Sequence, residues 1–154
     1  MRESLFDAKE ELKRVDHQIY VSLKYTRTVD VLMNCLGRMI DAYSCMIDAL
    51  LKYAVEKKIV REEFVPGSPL ERLEFSRTIF KDEIVQKNME LYALMRKVVK
   101  TSPKKEQEFR RHVTLRTMVD GKEVTVDIDK VTEYYGMMKE FYEWIDHRVA
   151  EIKQ

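Results

Sequence analysis

A mainly α-helical fold is predicted for this chain: a helical bundle of three to four long helices with one β-hairpin inserted before the last helix. Three stretches predict it. Residues 29–58 carry apolar side chains in two adjacent rows at helical spacing. Residues 111–128 change to strict alternation around an Asp-Gly pair. Residues 129–151 return to the helical period. At 154 residues the chain is the size of one domain, and residues 1–154 read as a single helical-bundle domain.

In chain order, residues 4–20 place Leu5, Ala8, Leu12, Val15 and Ile19 on one helical stripe, with Ser4 as the expected N-cap. The stripe extrapolates through Ser22 and Thr26 into Val29. Residues 4–58 therefore form either one helix, roughly 80 Å long, or two helices with a bend in YVSLKYTRT, where the apolar ladder lapses. A compact domain favours the bend.

The helix over 29–58 is the strongest in the sequence. Val29, Met33, Leu36, Ile40, Tyr43, Ile47, Leu50 and Ala54 form one row, and Leu32, Met39, Met46 and Tyr53 form its neighbour. Pro66, Gly67 and Pro69 make a turn within 59–72. A further helix follows over 73–99, with Phe80, Ile84, Leu91, Met95 and Val98 on its inner face, ended by Pro103. In the hairpin, Val113, Leu115, Thr117 and Val119 alternate on the way out, and Val124, Val126 and Ile128 on the return. Asp129 is expected to cap the last helix.

Composition narrows the function classes. Hydrophobic residues make up 45% and charged residues 36%, a charged share that suits a thermophile. The net charge of +1 means that any affinity for nucleic acid must come from local clustering. Cys35 and Cys45 fall in one helix about 15 Å apart along the axis, too far for a disulfide. This points to a reducing, cytoplasmic compartment. The charged N-terminus lacks a signal-peptide core, and no run reaches the roughly 18 apolar residues of a membrane span.

Chemistry-bearing motifs are few. His17, His112 and His147 lie in three separate elements without metal-ligand spacing, so no metal or cofactor is expected. The four glycines are scattered singly, and none forms a phosphate-binding loop. Asp41 and Asp48, seven residues apart, read as the solvated rear of the central helix. Most tyrosines fall on or beside apolar faces. Tyr20, Tyr25 and Arg27 in the bend are the exception, and could face a nucleotide.

The one biased segment is 96–116, RKVVKTSPKKEQEFRRHVTLR. Arg96, Lys97, Lys100, Lys104, Lys105, Arg110, Arg111 and Arg116 stand there against Glu106 and Glu108, a local charge of +6 in a chain of total +1. Lys104, Lys105, Arg110, Arg111 and Arg116 are the candidate nucleic-acid or phosphate-binding residues.

The stretch RMIDAYSCMIDALLKYAVEKKI, Arg38–Ile59, resembles the second helix of HEPN domains, through Ala42-Tyr43, Ala49-Leu50-Leu51 and Lys57-Lys58-Ile59. DKVTEYYGMMKEFYEWI is similar to the last helix of that family. The resemblance implies a helical bundle, a homodimer, and either RNA or a nucleotidyltransferase-like protein as partner. RNase members of the family carry Arg, four to six residues, then His. Here Arg110-Arg111-His112 is the nearest remnant, with the wrong spacing. The resemblance therefore implies a non-catalytic or divergent binding module. The alternatives are an RNase using His112 as general acid/base with Arg110 and Arg111, and a structural homodimer pairing its hairpin edge to edge.

Overall fold

The computed structural model describes residues 1–152. It is mainly α, with a small antiparallel sheet before the last helix. Helix α1 spans Arg2–His17, loosens into a π-helical stretch at Gln18–Ser22, and closes with one turn, α2 (Leu23–Tyr25). Thr26 and Thr28 then take extended backbone conformations, and α3 starts at Val29. The Thr28 hydroxyl accepts the amide of Val31 at 3.2 Å, which is the N-cap bond that lets a new helix begin. Of the two readings of residues 4–58, the structure adopts the bend. Because α1 folds back along α3, its apolar stripe is buried within the chain and no coiled-coil partner is needed for it.

Helix α3 (Val29–Glu56) buries both of its apolar rows apart from Met33 and Ile40, which are half-buried. Just past its end, Lys58 takes a φ of 60° and turns the chain left-handed. The amides of Lys58 and Ile59 reach back to the carbonyls of Val55 and Ala54 at 3.0 and 2.9 Å, closing the helix as a Schellman motif.

The single helix expected over 73–99 is two. Helix α4 (Pro69–Ile79) begins four residues earlier, with proline at its first position and Ser68 as N-cap. Phe80 is extended, and α5 (Glu83–Val98) follows. The Gln86 amide donates to the carbonyls of Arg77 at 2.9 Å and Phe80 at 2.7 Å, supplying partners that the broken helix would otherwise lack. Phe80 itself enters the core beside Tyr53 and Trp144.

The expected hairpin is part of a three-stranded sheet in the order β1 (Lys104–Glu106), β2 (Thr114–Val119), β3 (Lys122–Val126). Asp120 and Gly121, both at positive φ, form the turn between β2 and β3. Val113, Leu115, Thr117 and Val119 are all buried, as their alternation predicts. The added strand β1 pairs Lys104 with Arg116 and Glu106 with Thr114. Three charged residues carry no alternation, so this edge was invisible in the sequence.

Helix α6 (Ile128–Ala150) is capped by Asp127 rather than Asp129, with the Lys130 amide donating to its carboxylate at 2.8 Å. Ser4 lies inside α1, not before it. The buried residues form one core cluster, centred on the α1–α3 pair and closed by α5, α6 and β2. Among the described residues, no helix is long and apolar enough to cross a membrane.

Candidate nucleic-acid interface

The basic segment runs from the last turn of α5 through β1 and the loop after it into β2. Its cations divide into two groups. Arg116 lies between two carboxylates, donating to Glu106 at 2.7 and 3.2 Å and pairing with Glu123. Hydrogen bonding from Arg116 holds the Glu106 carboxyl below its ordinary value, and the same bond raises the Arg116 guanidinium. Lys105 reaches Asp30 at 3.6 Å, Lys97 meets Asp120 at 2.5 Å, and Arg96 lies over the Tyr92 ring at 5.6 Å. Arg116 is therefore a sheet cross-link rather than a free phosphate ligand, and Lys105 is partly neutralised.

Lys100, Lys104, Arg110 and Arg111 form the other group. All four are exposed, and among the described residues none lies within ion-pair distance of a carboxylate. The segment's own two acids are engaged elsewhere. Glu106 is held by Arg116, and Glu108 accepts the Val29 amide at 3.0 Å.

That second contact shapes the site. A carboxylate at a helix N-terminus satisfies an orphan amide and meets the positive end of the helix dipole. Two further ties join it: the Phe109 amide donates to the Arg27 carbonyl at 2.6 Å, and Lys105 reaches Asp30. Residues 105–109 are thus fastened across the start of α3, against the bend at 26–28. Gln107 and Phe109 both take positive φ to make the path, at 56° and 65°. The amides of Arg110 and Val113 close successive turns onto the carbonyls of Gln107 and Arg110, both at 3.0 Å. Two regions far apart in sequence, the bend at 25–28 and the loop that leads into Arg110 and Arg111, are thus joined at their backbones.

His112 stands at the end of this loop, exposed, with its carbonyl accepting the Thr114 hydroxyl at 2.8 Å. His17 and His147 are exposed on α1 and α6. Among the described residues, no group of three His, Cys, Asp or Glu side chains is placed to hold a metal ion. Cys35 is buried, and burial pushes its thiol up to about 12.

Asp48, expected on the solvated rear of α3, instead anchors a polar cluster between α1, α3 and α4; Asp41 is exposed as expected. Arg72 donates to Asp48 at 2.8 Å, Lys52 pairs with it at 2.8 Å, and the Ser4 hydroxyl also donates to it. Burial works to raise the Asp48 carboxyl, but the bonds from Lys52 and Ser4 and the charges of Lys52 and Arg72 outweigh it, and the group is held below its ordinary value. Stability from such a group is present above its unfolded value and lost as pH falls through the folded one. Asp48 is 35% exposed, so solvent screens the cluster and Asp48→Asn should cost only about 1 kcal/mol at pH 7. That difference from wild type should shrink below about pH 4. Urea denaturation at pH 7 and pH 3 measures both.

Comparison with protein-family models, with curated proteins and with solved structures finds no match to this chain.

Proposed function

We propose that this protein is a non-catalytic, HEPN-like binding module that takes RNA phosphates on the exposed cations of the segment between α5 and β2. The observation that carries this reading is the fate of the segment's charges. Its two glutamates are tied to Arg116 and to the start of α3, while Lys100, Lys104, Arg110 and Arg111 project without carboxylate partners among the described residues. Surface cations outside any ion pair, on a segment tied down between them, suit a polyanion with regularly spaced charges. The fixed anchoring of 105–109 lowers the entropy lost when the loop engages its ligand.

Among the candidate residues, Lys104, Arg110 and Arg111 are assigned to phosphate contact. Lys105 is assigned a lesser part and Arg116 none. Titration of a labelled single-stranded RNA, followed by fluorescence anisotropy at about 50 mM salt, tests the proposal. Saturable binding supports it, and its absence at that salt sinks it. Running the bound RNA on a denaturing gel separates binding from cleavage. Product that disappears in His112→Ala would favour the RNase reading instead.

A further inference from the structure

The bend before α3 carries features that phosphate binding alone does not use. Tyr25 is 77% exposed and Phe109 76% exposed, the two most exposed aromatic side chains of the chain's large hydrophobic residues. They belong to segments more than eighty positions apart, yet the Phe109 amide donates to the carbonyl of Arg27, two residues after Tyr25. The Lys24 ammonium lies 5.8 Å from the Tyr25 ring centre, and the Arg27 guanidinium is steered back onto the Leu23 carbonyl at 3.3 Å. Phe109 holds a left-handed backbone, a conformation a bulky residue rarely adopts, and its ring is not used in the core.

We infer that Tyr25 and Phe109 form a base-stacking platform, so that the ligand of this surface is a single strand with unpaired bases rather than a duplex. The inference rests on the phosphate-binding reading above and adds its selectivity. Exposed rings beside free cations suit a single strand because each nucleotide offers both a charged phosphate and an apolar base face. In a duplex the base faces are stacked on one another and closed to the rings. The surrounding Lys24, Arg27, Arg110 and Arg111 select an anionic occupant over a neutral apolar one. Glu108 is a positioning residue in this arrangement, since its carboxylate on the Val29 amide helps hold the Phe109 segment beside the bend.

Three ligands separate the possibilities: a labelled twelve-nucleotide oligouridylate, an RNA duplex of equal length, and inorganic polyphosphate as competitor. Phe109→Ala should weaken oligouridylate binding about fivefold or more, and Phe109→Trp should restore it. Duplex and polyphosphate affinities should be unchanged by either variant. Glu108→Ala gives a test of sign. Charge alone predicts tighter binding when a carboxylate leaves a basic segment, whereas loss of the anchored ring predicts weaker binding of the oligouridylate alone. Equal oligouridylate affinity in wild type and Phe109→Ala, with Arg110→Ala/Arg111→Ala still weak, would overturn the platform while leaving the phosphate reading in place. A dimer that dissociates in Phe109→Ala with unchanged oligouridylate affinity would assign the rings to a second copy and overturn it too. Failure of all three ligands to bind wild type would remove the phosphate reading itself, and the platform with it.

Discussion

Tyr43→Ala is expected to lower the unfolding free energy by about 4 kcal/mol, a large share of the total stability of a domain this size. Tyr43 is completely buried at the middle of α3. Its ring lies 5.3 Å from that of Tyr92 on α5 and 6.3 Å from that of Phe141 on α6, so one side chain joins three helices. Removing it forfeits the transfer free energy of an aromatic ring and opens a cavity that three packed helices close only in part. It also strips a donor from the buried Asn88, whose carbonyl accepts the Tyr43 hydroxyl at 2.7 Å while its amide is spent on the Ile84 carbonyl at 2.8 Å. Tyr43→Phe isolates that second term and should cost only about 1–2 kcal/mol. Urea denaturation gives both values, and a thermal melt of the alanine variant should fall by roughly 8–16 °C for a chain of this size. Similar losses in the two variants would mean that the hydrogen bond, and not the ring, joins the helices.

The same residue shows what could be read in the sequence. Tyr43 sits on the apolar row of residues 29–58 because the helical period is a direct consequence of backbone geometry, and periods survive in sequence. The hairpin was legible for the same reason: alternation and an Asp-Gly turn are local. What escaped were features set by neighbours distant in the chain. The break at Phe80 is held by Gln86 reaching back to two carbonyls, and its one local mark is Asp82, the N-cap position of α5. Strand β1 exists because β2 offers an edge, not because Lys104-Lys105-Glu106 prefers to be extended. Asp48 reads as a solvated helix residue until α4 brings Arg72 against it.

The basic segment was legible as a charge cluster, but its internal ranking was not. Eight cations look alike in the sequence. Only pairing geometry separates Arg116, held by two glutamates, from Arg110 and Arg111, which have none among the described residues. The bend held a comparable half-signal. Tyr20, Tyr25 and Arg27 read as a patch that could face a nucleotide, yet nothing local joins them to Phe109.

The second large effect follows from that ranking. Arg110→Ala/Arg111→Ala should weaken binding of single-stranded RNA by roughly tenfold to a hundredfold at about 50 mM salt, since each phosphate left without its arginine keeps its condensed counterion. Both side chains are exposed on the loop, so stability should change by no more than about 0.5 kcal/mol. Weaker binding in this variant then reports on the phosphate contacts themselves and not on unfolding. Arg116→Ala removes the same kind of charge from the same segment but no phosphate contact. It should weaken binding less, through the two glutamates it uncovers, and should loosen the sheet edge.

The salt dependence of RNA affinity tests the assignment of Arg110 and Arg111 most directly, because it counts phosphate contacts rather than total charge. The logarithm of the association constant should be measured against the logarithm of salt concentration for wild type, Arg110→Ala/Arg111→Ala and Arg116→Ala. The expected slope is shallower by about 1.4 in the double variant and unchanged in Arg116→Ala. Identical slopes in wild type and the double variant, or a wild-type affinity indifferent to salt, would contradict the assignment.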